Sequence, residues 1–373
     1  MNKTLGTTLL VSGTMIGAGM LAMPLTSAGI GFSFTAVLLL ILWALLTYSA
    51  LLFVEVYQTT DSDAGIGTLA ALYYGNVGRF IATTVMFIFL YALLSAYISG
   101  GGEILMKTVE RASIIPITGL DTQTTLKLYI GIFTFIFGIF IIISAKAVDG
   151  SNRFFFFIML TALLLVISVM LPKARLHNLT AMPLDNALLL SAAPIFFTSF
   201  GFHGSIPSLN KYLAGNVHAL RVAIICGSLL TLGVYTLWQL ATHGVLSQSQ
   251  FTQILKENAT LYGLIEATRA ITGSNIIAGT VELFSALALI TSFLGVALGL
   301  YDCIDDMLRK GLKLNPGRAI LGTATFLPPI LFAWFYPDFI GALSYAGQMF
   351  AFYAVVLPVG LVWKARRRYP HLP

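Results

Sequence analysis

Gly13, Gly17 and Gly19 carry the most chemistry in this sequence because of where they fall. They lie in LLVSGTMIGAGMLAMP (Leu9–Pro24), inside an apolar stretch of membrane length. Glycine weakens a helix. A helix broken there leaves carbonyls without donors at the end of one half and N–H groups without acceptors at the start of the next. The half-helix dipoles add partial negative and positive charge at those two ends. One break can therefore hold an ammonium and a carboxylate together, with no charged side chain buried beside them. The amides of Gly17, Ala18 and Gly19 are placed for the carboxylate, and the carbonyls near Thr14 and Met15 for the ammonium. At bilayer depth such irregular backbone is tolerated only where it is buried in protein or lines a cavity.

A second break recurs in APIFFTSFGFHGSIPSL (Ala193–Leu209). Carbonyls near Phe197, Thr198 and Ser199 can complete the ammonium cage, and Phe200 and Phe202 supply walls for an aromatic ring. His203 is the only histidine near the middle of an apolar span. It can hydrogen-bond a phenolic hydroxyl, carry a proton, or cap backbone freed by the break; ionisable groups at that depth are functional by default. Glycines also serve close helix packing. Two interrupted spans, each heading one half of a chain, instead point to a transporter's substrate site.

Three further places carry polar groups at membrane depth. Tyr91 and Ser95 lie one helical turn apart, and either touch a substrate carboxylate or make ordinary interhelical hydrogen bonds. Thr291 and Ser292 either bond the preceding turn or ligate a cation together with open carbonyls at Gly13 and Ile16. Glu282 is the most exceptional intramembrane carboxylate and, with His203, the candidate proton carrier. Glu55 and Glu103 sit near span ends and read as anchors or partners of neighbours.

These residues must be positioned by helices. Hydrophobic residues make up 57% of the chain and charged residues 10%, and the mean hydropathy is +0.88, which excludes a soluble fold. Ten apolar runs are long enough to cross a bilayer: 5–30, 33–57, 80–103, 126–145, 153–172, 188–212, 219–243, 276–301, 318–336 and 339–363. The first lacks a cleavage region and reads as uncleaved. With the N-terminus inside, only Lys107, Arg111, Lys127, Lys173, Arg175, Lys256 and Arg269 of the 21 Lys and Arg lie outside, which puts both termini in the cytoplasm.

The expected fold is an all-α polytopic membrane protein of ten transmembrane helices. Residues 1–172 form a first five-helix repeat and 188–364 a second, inverted because five is odd, in one integrated transport domain. The net charge of +6 reflects topology, so a nucleic-acid partner is not expected. Arg366–Arg368 either touch anionic membrane lipid or anchor the last span. Cys226 and Cys303 give neither a disulfide framework nor metal spacing and read as buried thiols. In the outer loop 244–274, Phe251, Ile254 and Leu255 recur at helical spacing, as a lid or a surface helix. The stretch DSDAGIGTLAALYYGN before the third span reads as a short interfacial helix. No G-x-S-x-G or H-E-x-x-H motif supports an enzyme.

The segments TLGTTLLVSGTMIGAGMLAMP, FFTSFGFHGSIPSLNKYL, ALITSFLGVALGLYDCIDD and TFLPPILFAWFYP resemble the hydroxy/aromatic amino acid permease family, through nearly the whole chain. Within it the similarity is greatest to bacterial tyrosine-specific permeases. The resemblance implies import of tyrosine or a related aromatic amino acid across a bacterial inner membrane, by proton symport and without a cofactor. It also implies the leucine-transporter-type fold, in which spans 1, 2, 6 and 7 rock against 3, 4, 8 and 9. Two departures stand out. Relatives carry an eleventh span, whereas this sequence ends at Pro373. Many proton-coupled members of the wider fold have a lysine in span five, where this chain has Met159. In sodium-coupled members, positions matching Gly13, Ile16, Ala288, Thr291 and Ser292 hold sodium, so sodium is the alternative coupling ion.

Overall fold

Runs of about twenty residues with almost no charge have one way to satisfy their own backbone in hydrocarbon, which is the helix. The computed structural model describes residues 3–60, 64–111, 121–143, 145–183, 186–257, 260–272, 275–311 and 313–370. No strand occurs among them. The order is α1 (Lys3–Met15), α2 (Gly19–Ser27), α3 (Gly31–Tyr57), α4 (Ile66–Arg111), α5 (Thr122–Ile143), α6 (Ala145–Met170), α7 (Leu176–Leu179) and α8 (Asn186–Ser199). It continues through α9 (Ile206–Tyr212), α10 (Val217–Val245), α11 (Gln248–Glu257), α12 (Leu261–Thr272), α13 (Asn275–Asp306), α14 (Arg318–Phe335), α15 (Phe339–Ala351) and α16 (Leu357–Arg368).

Eight membrane-length apolar helices are present among the described residues, and α1 with α2 makes a ninth, bent by 51°. The expected sixth span is divided into α8 and α9, too short to cross singly. The last two are joined by a wide π-type turn at Phe352–Val356. Within α4 the interfacial stretch is a helix of its own, separated from the third span at Gly75, whose non-helical φ of 65° suits glycine. Asp61–Asp63 of that stretch fall outside the described residues.

The two broken pairs lie side by side, α2 against α8, with α1 on α10. Around them α13 packs on α4 and α6, and α15 on α4 and α8. Polar side chains join the helices at depth. The Trp43 indole and the Thr47 hydroxyl of α3 both donate to Ser228 Oγ of α10, at 3.1 and 3.0 Å. Glu55 takes a two-pronged bond from Arg366, at 2.7 and 2.9 Å, as a partner at a span end should. Neither cysteine is in a disulfide, but the expected burial fails: Cys226 is exposed on α10 and Cys303 is half-buried.

At the end of the bundle away from the N-terminus, α11 and α12 cover the end of α2. Phe251, Ile254 and Leu264 pack on Leu25, Ala28 and Leu246. Gln248 Nε2 donates to the Ala28 carbonyl at 3.0 Å. Leu255, expected on the same stripe, is 38% exposed. Beside this cover, Arg111 binds Glu282, Glu266 and the Tyr262 hydroxyl.

Candidate functional site

α1 stops at Met15 and α2 starts at Gly19, with three non-helical residues between. The last regular bond of α1 runs from Ile16 N to the Ser12 carbonyl at 2.8 Å. The chain then tightens, Met20 N bonding Gly17 O and Leu21 N bonding Ala18 O at 3.2 and 3.1 Å. Ser292 Oγ of α13 accepts from Ala18 N at 2.9 Å and so caps α2. The Ala18 amide, expected to serve a carboxylate, already has a partner; Gly17 and Gly19 remain from that set.

Both glycines are forced by close approach. A Cβ on Gly17 would collide with Ser292 Oγ. One on Gly19 would sit 2.6 Å from Ser199 Oγ and 3.2 Å from Ser199 Cα. The second break begins where α8 ends at Ser199, and a 3-10 turn at His203–Ser205 leads into α9, with Pro207 in its first turn.

The two breaks meet at Tyr235 of α10. Its hydroxyl lies 2.6 Å from the Met15 carbonyl and 2.7 Å from the Ser199 carbonyl. A phenol has one proton to donate, so it serves one carbonyl at a time and leaves acceptor capacity at both. Two helix C-termini thus converge on one point, with their partial negative charge pooled there. Trp238, one turn on, donates its indole N–H to Met20 O at 3.0 Å.

A cavity of 430 Å³ opens beside this junction, within the roughly 300–1,000 Å³ usual for small-ligand sites. Its walls include Gly13, Thr14, Met15, Ile16, Ala18, Gly19, Thr198, Ser199, Phe202, Thr291 and Ser292, all of them anticipated site residues. Phe89 and Tyr97 of α4, Phe350 and Tyr353 complete it. It continues past Leu9, Asn152, Arg153 and Cys303 toward the face that bears the N-terminus.

Gly17 does not line the cavity but faces Ser292 Oγ and the Ala288 carbonyl, and the other anticipated residues lie elsewhere. Tyr91 donates to the Ala324 carbonyl at 2.7 Å, and Ser95 to the Pro329 carbonyl at 3.3 Å. Ala324 O would normally receive the N–H four residues on, but that residue is Pro328, which has none. Tyr91 fills the gap with an interhelical hydrogen bond, and neither it nor Ser95 lines the cavity. Phe197 packs edge-on against Phe350 at 5.7 Å, and Phe200 against Tyr235 at 5.1 Å, both behind the wall. Ala288 is buried, its carbonyl accepting from Thr291 Oγ1 at 3.2 Å; Leu287 O accepts from the same hydroxyl at 2.9 Å. Thr291 also faces Met159 Sδ at 3.7 Å.

His203 is fully buried among Phe53, Phe202 and Phe350, with ring centroids 6.2, 5.1 and 5.3 Å away. Neither ring nitrogen meets hydrogen-bond geometry among the described residues, although the Leu46 carbonyl approaches. Glu282, the other proton candidate, is held by Arg111 and by Thr108 Oγ1, the latter at 2.6 Å.

Sequence reasoning missed Tyr235, Trp238, Tyr97 and Tyr353. Tyr235 and Trp238 had a signal. They stand with Gln239 and Thr242 at helical spacing, a polar stripe on one face of an apolar helix.

The sequence profile of the tryptophan/tyrosine permease family matches residues 1–373. The tyrosine-specific transport system 1 of Haemophilus influenzae is 64% identical, over 100% of this chain and 91% of that protein. Tyrosine-specific transport system 2 of the same organism is 51% identical, over 100% and 90%. Its tryptophan-specific transport protein is 32% identical, over 98% and 88%. With these matches and its many membrane-length helices, the chain is a multi-pass membrane transport protein, and it belongs to the tryptophan/tyrosine permease family.

Proposed function

We propose that this protein is a secondary active symporter that imports tyrosine, and with lower preference other aromatic amino acids, across a bacterial inner membrane. The observation that carries the reading is the convergence of the Met15 and Ser199 carbonyls on one hydroxyl at the cavity. The substrate ammonium binds these carbonyls and those near Thr14 and Thr198. Its carboxylate takes the amides of Gly17 and Gly19, at the positive end of α2. The ring lies among Phe89, Phe202 and Phe350. The names of the two most similar relatives cited above support tyrosine.

The ten spans are two inverted sets of five in the leucine-transporter-type fold, with both termini cytoplasmic. Side-chain bonds support the moving groups that fold implies. Spans 1, 2, 6 and 7 are joined by Tyr235, Trp238, and Trp43 with Thr47. Spans 3, 4, 8 and 9 are joined by Tyr91, by Arg111 with Glu282, and by Trp334 Nε1 donating to Lys127 O at 3.0 Å. The Ser292–Ala18 bond crosses between the groups. In this orientation the cavity opens to the cytoplasm, as in a state that releases substrate.

The coupling ion is a proton, with His203 its carrier, because Arg111 already neutralises Glu282. Sodium is the second reading, favoured by Thr291 and Ser292 beside the first break. In proteoliposomes, labelled tyrosine should accumulate under an inward proton gradient with no sodium present. Accumulation that follows sodium and ignores pH would overturn proton coupling. Thr291→Ala, which leaves the Ser292–Ala18 bond in place, should spare proton-driven uptake and abolish only a sodium-driven one.

A further inference from the structure

We infer that Tyr353 recognises the hydroxyl of a hydroxylated aromatic substrate and so sets the preference of the cavity for tyrosine over phenylalanine. This rests on the reading of the cavity as an aromatic amino acid site. Tyr353 lines the cavity, yet it is 1% exposed and its hydroxyl has no hydrogen-bond partner among the described residues. A buried hydroxyl left unpaired is unfavourable, and phenylalanine would fill the same space without that cost. A native group in this condition calls for an explanation.

Its surroundings say what the group is for. Tyr353 sits in the wide turn Phe352–Val356, and such turns frequently occur at functional sites. Its ring centroid is 6.3 Å from that of Phe350 and 6.4 Å from that of Phe53. Phe350 in turn stacks on Phe89 at 5.0 Å. A Cβ built on Gly204, at the second break, would be 4.0 Å from the Tyr353 hydroxyl. On this side the wall is largely aromatic carbon, and of the two phenols that line the cavity Tyr97 has Ser292 beside it while Tyr353 has no hydrogen-bond partner among the described residues. A substrate anchored by its charged end at the two breaks lays its ring along Phe89, Phe202 and Phe350. Its own hydroxyl then meets Tyr353 Oη, where each group can donate to or accept from the other. His203, the residue the sequence offered for this task, lies behind Phe350 and does not line the cavity.

The test is equilibrium binding to the purified full chain, by displacement of labelled tyrosine or tryptophan with unlabelled tyrosine and phenylalanine. Wild-type protein should bind tyrosine at least about tenfold more tightly than phenylalanine, the scale of one good hydrogen bond. Tyr353→Phe should erase most of that ratio, leave phenylalanine affinity within about twofold, and leave the ligand-free melting temperature unchanged or raised. A purely structural role would move both ligands together. Equal affinities in wild-type protein, or an unchanged ratio in Tyr353→Phe, would overturn the inference while the aromatic reading stands. Wild-type protein that binds no aromatic amino acid would instead sink the proposed function, and this inference with it. Because Phe keeps the ring, misfolding is not expected; should Tyr353→Phe not fold, O-methyltyrosine decides on wild-type protein. Its affinity should fall toward that of phenylalanine, and affinity equal to tyrosine's would count against recognition at this hydroxyl.

Discussion

Gly17→Val is expected to abolish tyrosine binding, and Gly17→Ala to weaken it at least about tenfold. The cause is local. Any Cβ at this position lands on Ser292 Oγ, the atom that caps the Ala18 amide. Pushing that hydroxyl away uncaps α2, at about 1 kcal/mol, and overpacks the contact between the break and α13, at about 1–3 kcal/mol. The strain falls on the few residues whose amides are proposed to take the substrate carboxylate. Gly19→Val should act alike through Ser199, whose Cα as well as its hydroxyl is in the way. Two comparisons separate this from a general intolerance of glycine replacement. Gly13→Ala meets only the edge of the Phe156 ring at 3.3 Å, which can turn aside, so a loss of a few-fold at most is expected. A Cβ on Gly233 of α10 meets nothing within 4 Å, and Gly233→Ala should bind as wild type. Binding measured on folded, monodisperse protein decides the matter. Wild-type affinity in Gly17→Val would remove the first break from the substrate site.

The breaks were legible because their signal is local. Glycine in an apolar run is costly, and two such runs in matching places leave few explanations. Nine of the eleven anticipated residues that line the cavity come from the breaks for that reason, since a broken helix carries its own polar groups with it; Thr291 and Ser292 reach it from α13. The residues that moved were those whose role depends on a distant helix. Tyr91 reads as a loose polar group until Pro328 is seen to strip a donor from Ala324, 233 residues away. Glu282 looked exceptional because its neutralising partner Arg111 stands 171 residues earlier. His203 has the right sequence neighbours for the cavity, but it packs against Phe350 and does not line it. Tyr353 has no spacing signal at all. One tyrosine in an apolar span is ordinary, and only the missing partner and the wide turn around it mark it out. Element existence was readable from hydropathy, and the corner between the interfacial helix and the third span falls on a single positive φ at Gly75.

Tyr235→Phe should cost more than any other removal of a single atom. Its hydroxyl is the shared donor for the carbonyls that end α1 and α8, so the variant removes the one proton that the two buried acceptors share. An unpaired buried group costs about 1–3 kcal/mol, and the ring's own packing against Phe200 is retained, so the loss belongs to the hydroxyl. The same bonds tie spans 1, 6 and 7 into one body. Without them α1 and α8 can shift relative to each other, and the ammonium site proposed between them loses its geometry. The expected result is a lower melting temperature of the ligand-free protein together with an uptake rate reduced at least about tenfold, chiefly through weaker tyrosine binding. Trp238→Phe, which removes the neighbouring bond to Met20 on α2 alone, should lower stability with a smaller effect on uptake, because it leaves the junction of the two breaks intact. If Tyr235→Phe melts and transports like wild type, the two carbonyls are not the ammonium site, and the convergence at Tyr235 is packing only.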